Sequence, residues 1–179
     1  MNSKVKSKAV FLDRDGVINI DKQYVSRIED FEFTEGIFDT LRYLQDAGYL
    51  LIVVTNQSGI GRGYYTLEDF QKLTDWKLAQ LAQKGIRIEE VFYCPHAPEW
   101  DCDCRKPSPK MLLEAKRRYD IDMQRSWMVG DKLSDIDAGR NAGVGKTVLI
   151  RNDGQRCSEG DADYCIDSIR ELKDLITEV

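Results

Sequence analysis

Short apolar runs alternate with amphipathic stretches along the whole chain. Six apolar runs predict strands, near residues 8–12, 50–54, 91–93, 127–129, 147–150 and 164–166. Apolar residues at helical spacing predict four longer helices and a final helix near the C-terminal end, the four lying over about 36–47, 66–84, 109–119 and 133–142. A glycine-rich turn is expected over 56–63. Strands that alternate with helices predict an α/β fold, a doubly wound and mostly parallel sheet with helices on both faces.

Composition narrows the class of protein. The 179 residues contain no repeat, low-complexity tract or linker, which predicts a single domain over 1–179. A net charge of −5 argues against nucleic-acid or anionic membrane partners and leaves a small molecule as the expected partner. No apolar run approaches the roughly 20 residues that span a bilayer, and the polar N-terminus lacks the apolar segment of a signal peptide. We therefore expect a cytoplasmic protein and, as to assembly, a monomer.

The first predicted strand runs directly into two aspartates. Asp13 and Asp15 follow the apolar run by one and three positions, and Gly16 lets the chain turn away after them. Because open α/β sheets bind ligands at the carboxyl ends of their strands, both carboxylates are candidate functional groups. A strand that ends in an Asx turn is the alternative interpretation, and the other motifs of the chain decide between the two.

Polar side chains also follow other predicted strands and one loop, namely Thr55, Asn56, Arg105, Lys106, Asp131, Lys132 and Asp135. Each of them could serve only as a cap, a turn former or a solvated charge. The ends of parallel strands meet at one edge of a sheet, however, so these groups are expected to lie close to the two aspartates. Crowded carboxylates repel one another unless a hard cation lies among them, and oxygen ligands suit Mg²⁺. Together with Lys106 and Thr55, they predict a site for a phosphoryl group.

These motifs resemble those of the haloacid dehalogenase-like phosphohydrolases, which have DxDG, Thr, Lys-Pro and GDxxxD in the same order. The resemblance implies that Asp13 is a nucleophile that forms an aspartyl-phosphate and that Asp15 is the acid/base. It also implies Mg²⁺ ligands from Asp13, the backbone carbonyl of Asp15 and Asp131, while Asp135 orients these groups or caps the next helix. A free carboxylic acid with a pKa of about 3.9 is a poor proton donor at neutral pH. Asp15 is therefore expected to lie where its protonated form is favoured when substrate is bound.

The spacing of the motifs leaves no room for a separate cap domain. The interval from Asp13 to Thr55 holds one loop and one helix, and the interval from Thr55 to Lys106 holds a helix, a strand and a loop. We therefore expect short loops to roof the catalytic edge and to leave it open.

The loop 94–104 concentrates cysteine and histidine. Cys94, His96, Cys102 and Cys104 supply three thiols and an imidazole, the ligand set of a closed structural Zn²⁺ site. A zinc ion would staple this loop and place Arg105 at the active site. A redox-inert cysteine cluster is the alternative. The remaining two cysteines, Cys157 and Cys165, are expected to be ordinary thiols, one exposed and one packed in the last short strand.

Longer motifs resemble one group within this family, the phosphatases that act on a heptose bisphosphate on the way to nucleotide-activated heptose. These motifs are DRDGVIN, VVTNQSGIGRG, YCPH with CDCRKP, and MVGDKLSDIDAG, and the similarity runs from about residue 9 to 151. It implies substrate contacts from Asp21, Tyr24, Thr55, Asn56, Gln57, Ser58, Arg105, Lys106 and Lys132. The 96–102 loop is shorter than the pattern, which leaves the outer contacts open. Asp21 and Tyr24 could instead belong to a surface loop packed by its own side chains.

Two other functions compete with this one. A histidinol-phosphate phosphatase would share the fold, the motifs and a zinc loop, whereas Arg62 and the run 31–33 favour the sugar bisphosphate. A zinc-stapled binding module without catalysis is the second alternative. The complete set of Asp13, Asp15, Lys106 and Asp131 argues against it.

Overall fold

One parallel sheet organises the chain. The computed structural model describes residues 5–152, 154 and 156–177. Its strands are β1 (Lys8–Leu12), β2 (Tyr49–Asn56), β3 (Glu90–Cys94), β4 (Trp127–Gly130), β5 (Lys146–Ile150) and β6 (Tyr164–Ile166). Its helices are α1 (Ile37–Asp46), α2 (Ser58–Gly61), α3 (Leu67–Gln83), α4 (Lys110–Tyr119), α5 (Leu133–Ala142) and α6 (Leu172–Leu175). Single 3₁₀ turns lie at Ile28–Asp30, Met123–Arg125 and Ile169–Glu171.

The strand order places β1 at the point where the sheet changes direction. The order is β3-β2-β1-β4-β5-β6, and every neighbouring pair is parallel. The chain thus builds outwards from β1 on one side and from β4 on the other, which confirms the predicted doubly wound fold. In such sheets the crevice beyond the carboxyl ends of the two diverging strands is the usual ligand site.

The two faces of the sheet carry separate hydrophobic cores. Along β1, Val10 and Leu12 pack into one core, whereas Ala9 and Phe11 pack into the other. This alternation follows from the two-residue period of a strand, and a strand buried on both faces is apolar throughout. No helix among the described residues is long and apolar enough to cross a membrane.

The helices begin where local sequence signals predict, apart from three differences of detail. Thr66 Oγ1 accepts a hydrogen bond from the backbone N–H of Asp69, and the Asp69 carboxylate accepts one from the N–H of Thr66, so α3 begins with a capping box. Pro109 lies just before α4 rather than in its first turn. The expected glycine-rich turn over 56–63 contains the short helix α2, and the final helix begins as a 3₁₀ turn.

The expectation of ordinary thiols at Cys157 and Cys165 was wrong. The two residues form a disulfide that closes the loop between β5 and β6. The loop turns back on itself before it enters β6, and this brings the two side chains together. Composition gave no warning of this pairing, because nothing in the local pattern shows where the loop returns.

Helix α3 carries a lysine on its buried face. Lys77 is fully buried, and its Nζ has no hydrogen-bond partner among the described residues. Burial and the positive charge of nearby Arg14 lower the pKa of Lys77 to about 7, although Asp15 and Asp13 act in the opposite direction. An unpaired ammonium ion in such a place destabilises the folded protein.

Replacement of this lysine should therefore stabilise the protein. Lys77→Met should raise the free energy of unfolding at pH 7 by on the order of 4 kcal/mol, because burial lowers the pKa from 10.5 to about 7 and each unit corresponds to about 1.4 kcal/mol. The unfolded lysine titrates near its ordinary value of 10.5. Between pH 7 and that value the unfolded state binds more protons, so wild-type stability gains with rising pH and the advantage of the variant shrinks.

Urea denaturation at pH 7 and pH 9.5 measures this difference. Lys72→Met, on the exposed face of the same helix, controls for loss of a lysine charge. An advantage of Lys77→Met that stayed constant with pH, or that Lys72→Met reproduced, would contradict the assignment.

Candidate active site

A cavity of about 420 Å³ opens beyond the carboxyl ends of β1 and β2. Eleven of the candidate site residues named from the sequence line it, namely Asp13, Asp15, Asp21, Tyr24, Asn56, Gln57, Ser58, Arg105, Lys106, Lys132 and Asp135. Thr55 and Asp131 lie beside this cavity rather than on its wall. The topology therefore brings together residues that lie more than 100 positions apart in the chain.

Asp13 lies on the floor of the cavity against a buried lysine. Its backbone N–H donates to the carbonyl of Val129 on β4, which continues the sheet by one residue. Lys106 Nζ is 3.1 Å from Asp13 Oδ1 and 2.6 Å from Asp135 Oδ1, and it also donates to the carbonyl of Val54. Burial and the charge of Asp135 raise the pKa of Asp13 to about 8, while Lys106 favours the ionised form. One cation thus faces more negative charge than it neutralises.

Asp131 supplies the third carboxylate of this group. One oxygen each of Asp13, Asp131 and Asp135 lie within 4.8 Å of one another. Asp131 Oδ1 is buried and has no hydrogen-bond partner in the described part of the chain. Burial and Asp135 raise the pKa of Asp131 to about 6. Oxygen-only donors, excess negative charge and an unpartnered carboxylate oxygen together fit a hard divalent cation.

Gly16 makes room for this arrangement. Its φ is +86°, and a Cβ on Gly16 would lie 2.1 Å from Asp131 Oδ2. Both the left-handed backbone and the close approach of a carboxylate exclude a side chain here. The turn inferred from the sequence therefore also shapes the pocket of the third carboxylate.

Asp135 has the positioning role that the sequence suggested. Its Oδ2 accepts hydrogen bonds from the backbone N–H groups of Asp131 and Lys132, each at 3.1 Å, and so caps α5. Its other oxygen holds Lys106. One side chain therefore fixes both the loop after β4 and the lysine on the cavity floor.

Asp15 differs from its expected environment. Its carboxylate accepts hydrogen bonds from Arg14 Nε and Nη2, Asn19 Nδ2 and Gln57 Nε2, at 2.8–3.1 Å. Burial by itself raises the pKa of Asp15, but the Arg14 guanidinium and these hydrogen bonds hold it below its usual 3.8. The structure without substrate thus favours the ionised form, the opposite of the protonated form expected with substrate bound. Arg14 was missed because its position between two aspartates gives no sign of where its side chain points.

The side chains of Asn56 at the end of β2, and of Gln57 and Tyr65 after it, form hydrogen bonds with other protein groups. The Asn56 amide pairs with the backbone N–H and carbonyl of Lys106 and so ties the loop of Lys106 to β2. Gln57 is buried and donates to Thr55 Oγ1 at 2.9 Å as well as to Asp15. Tyr65, which the sequence analysis did not single out, donates to Gln57 Oε1.

The rim of the cavity holds the candidates for contacts with the rest of a substrate. Asp21 Oδ2 lies 3.9 Å from Lys132 Nζ. Tyr24 has a left-handed φ of 52° and contacts the ring of Tyr64 edge-on, with ring centroids 4.8 Å apart. Arg105 carries a buried Nη1 without a partner among the described residues. The loop of Asp21 and Tyr24 therefore faces the cavity and is not packed only on itself.

Five lining residues were not named as site residues from the sequence, namely Gln23, Arg62, Tyr65, Pro98 and Ser134. Short helix α2 turns the chain after β2 and so brings Arg62 and Tyr65 back over the cavity. Arg62 lies within the glycine-rich segment and was weighed only as evidence on the substrate, and Tyr65 follows that segment by two positions.

The loop 94–104 gathers its three thiols and imidazole. Cys94 Sγ lies 3.5 Å from His96 Nδ1 and 3.8 Å from Cys102 Sγ, and His96 Nδ1 lies 3.2 Å from Cys104 Sγ. All four donor atoms lie within 4.8 Å of one another. Burial and the neighbouring Cys104 raise the pKa of Cys94 to about 12, so a thiolate here needs a cation beside it. These donors fit a tetrahedral Zn²⁺ ion.

Known proteins share this sequence and fold. A family described as HAD-hydrolase-like matches residues 103–172. The D-glycero-alpha-D-manno-heptose-1,7-bisphosphate 7-phosphatase of Campylobacter jejuni is 48% identical over 97% of this chain and 98% of its own length. The beta-anomer 7-phosphatase of Pasteurella multocida is 45% identical over 94% of this chain and 96% of its own length. The crystal structure of D,D-heptose 1,7-bisphosphate phosphatase from B. bronchiseptica, complexed with magnesium and phosphate, superposes with a TM-score of 0.84 at 30% identity, covering 94% of this chain and 97% of that one.

Fold, carboxylate site and relatives together define a HAD-like phosphatase, an enzyme that hydrolyses phosphate esters. Within that class the high identity over nearly the full length is decisive. The chain belongs to the family of D-glycero-D-manno-heptose-1,7-bisphosphate 7-phosphatases.

Proposed function

We propose that this protein removes the 7-phosphate of D-glycero-D-manno-heptose 1,7-bisphosphate through an aspartyl-phosphate on Asp13. The observation that carries the proposal is the surplus of cations at the cavity. Lys106 is committed to Asp13 and Asp135. Arg105, whose Nη1 has no hydrogen-bond partner among the described residues, and the exposed Lys132 face the same space. A single transferred phosphoryl group does not need all three. The names of the relatives support a bisphosphorylated sugar as the substrate.

The proposed reaction uses the two aspartates in turn. An oxygen of Asp13 attacks the phosphorus, and the bond from phosphorus to the sugar oxygen breaks with its electron pair on that oxygen. Asp15 gives a proton to this oxygen, so the sugar leaves as an alcohol. Water then attacks the phosphorus of the aspartyl-phosphate and gives a proton to Asp15, which releases phosphate and restores Asp13. Because Arg14 favours the ionised form of Asp15, Asp15 must leave Arg14 before it can carry the first proton.

Two metals complete the proposed site. Asp13, Asp131 and the backbone carbonyl of Asp15 would hold Mg²⁺, which when bound neutralises charge on the phosphoryl oxygens. Excess carboxylate charge at the cavity floor supports this ion, as does the magnesium named for the B. bronchiseptica structure. Cys94, His96, Cys102 and Cys104 would hold a structural Zn²⁺.

We also infer that residues 1–179 act as one catalytic domain and that the enzyme works as a monomer. The described strands form a single sheet.

Substitution of the proposed nucleophile and substitution of the proposed acid/base should affect phosphate release differently. Asp13→Asn should abolish phosphate release, because an amide is not a nucleophile here and one negative charge is lost from the metal site. Asp15→Asn should retain substrate binding but slow turnover by roughly 10²–10⁴, the share typical of general acid/base catalysis. Phosphate release measures both. Asp137→Asn, exposed on α5, is the control, and near-normal turnover in Asp13→Asn would reject the assignment.

Substrate preference tests the function itself. Wild-type enzyme should release phosphate from either anomer of the heptose bisphosphate far faster than from histidinol phosphate. Arg105→Ala should reduce kcat/KM for the bisphosphate by roughly 2–3 kcal/mol of transition-state binding, the scale of a charged hydrogen-bond pair, and leave a simple monophosphate nearly unchanged.

Arg117→Ala, on the exposed face of α4, controls for loss of a positive charge. Equal losses on both substrates would assign Arg105 to the transferred phosphoryl group. A preference for histidinol phosphate would replace the proposed substrate with the alternative.

Zinc should be structural. Elemental analysis of purified protein should find about one zinc per chain. Cys102→Ser should lower the melting temperature and raise KM, because the loop that leads into Arg105 loses its cross-link. Asp101→Asn in the same loop is the control, since it removes a charge but no proposed ligand. Zinc-free protein with unchanged melting and full activity would contradict the structural role.

A further inference from the structure

A buried tyrosine hydroxyl is linked to Asp15, the proposed acid/base, through the side chain of Gln57. Tyr65 is only 7% exposed, and its Oη lies 2.5 Å from Gln57 Oε1. The Gln57 side-chain N–H₂ group in turn lies 3.1 Å from Asp15 Oδ2 and 2.9 Å from Thr55 Oγ1. The Tyr65 hydroxyl, the Gln57 amide and the Asp15 carboxylate thus form a continuous chain of hydrogen bonds along the wall of the cavity.

The two ends of this chain set its direction. An amide can be turned over with almost no change of shape, so its orientation depends on its partners. The ionised Asp15 carboxylate can only accept hydrogen bonds, so the N–H₂ group of Gln57 faces Asp15. The carbonyl of Gln57 then faces Tyr65, whose hydroxyl donates to it, and burial raises the pKa of Tyr65 to about 12, which keeps this donor protonated.

The tyrosine ring itself is held in place. A Cβ on Gly59 would lie 2.2 Å from Tyr65 Cε1, so the ring packs directly on the backbone of α2. A phenylalanine would keep this packing and remove only the hydroxyl. Gln57 Oε1 would then be buried without this donor, and only the bonds of its N–H₂ group to Asp15 and Thr55 would hold the amide.

Gln57 bonds both Asp15 and Thr55, and of the two Asp15 depends more on this contact for its position. Thr55 is part of β2, whose backbone fixes it, whereas Asp15 lies in the loop after β1. Arg14, the residue next to Asp15 in the same loop, holds both of its oxygens. Gln57 follows β2 directly, so its contact gives Asp15 a second anchor from another part of the chain.

We propose that Tyr65 is a positioning residue, which acts through Gln57 to hold Asp15 where it protonates the departing sugar oxygen. This inference rests on the proposed phosphatase mechanism. It assigns a role to a residue whose hydroxyl bonds Gln57, which in turn bonds Asp15. The role is specific to the step in which the leaving group needs a proton.

The dependence of the cleavage rate on the leaving group tests this role of Tyr65. In Tyr65→Phe, the first-turnover cleavage of a primary alkyl phosphate should fall about tenfold, with KM within about twofold, because positioning is only part of the roughly 10²–10⁴ that general acid catalysis supplies. The p-nitrophenol burst from p-nitrophenyl phosphate should change less than about twofold, since nitrophenolate leaves without protonation. A general loss of structure would reduce both rates together.

Two further variants complete the experiment. In a Gln57→Leu background, Tyr65→Phe should have no additional effect, because both act on Asp15 through one connection. Gln57→Leu alone should show the same difference between alkyl and aryl substrates, which keeps the test valid if Tyr65→Phe does not fold. Tyr119→Phe is the matched control, since it removes a hydroxyl that bonds Glu90 at 2.6 Å on β3.

Equal losses on the two substrates, no loss in a folded variant, or additive effects in the double variant would overturn the inference. Failure of the proposed substrate looks different. If wild-type enzyme cleaves simple alkyl phosphates but not the heptose bisphosphate, the proposed substrate fails while the role of Tyr65 is still decided by the alkyl and aryl rates. If the wild type cleaves no phosphate ester, both proposals fail.

Discussion

Repulsion among buried carboxylates is the constraint on which the site depends. Asp13, Asp131 and Asp135 bring their oxygens within 4.8 Å of one another at the end of a parallel sheet. Lys106 balances part of this charge from the cavity floor. The remainder is an unfavourable electrostatic energy that a divalent cation in this site would relieve. A fold that keeps such charges together must fix each one firmly, and Asp135 does so by capping α5 and holding Lys106 at once.

The surroundings of Asp15, the proposed acid/base, favour one of its charge states. In the structure without substrate, Asp15 is surrounded by N–H donors and its ionised form is favoured. That state suits the acceptance of a proton from water, whereas the first half of the reaction needs the protonated form. Arg14 therefore connects the charge state of Asp15 to its position, and a move away from Arg14 changes both together.

The fold and the main chemistry could be predicted from the sequence because they depend on local patterns. Apolar runs marked the strands, and topology then carried Asp13 and Lys106 to one edge without any knowledge of side-chain positions. Pairings decided by loop paths could not be predicted. The disulfide between Cys157 and Cys165 and the bond from Tyr65 to Gln57 both depend on where a loop returns, and no periodicity records that.

Strand pairing also sets the dimensions of the proposed metal site. Leu12 of β1 is paired with Val129 of β4, so Asp13 follows β1 level with Gly130, and Asp131 comes one residue later beyond a strand about 4.8 Å away. Side chains on a strand alternate between faces, and a slip of one residue would turn Asp13 to the opposite side of the sheet. Correct register between two strands that are distant in sequence is thus a condition for the proposed chemistry, and an error of pairing during folding would leave a compact protein without Asp13 in its cleft.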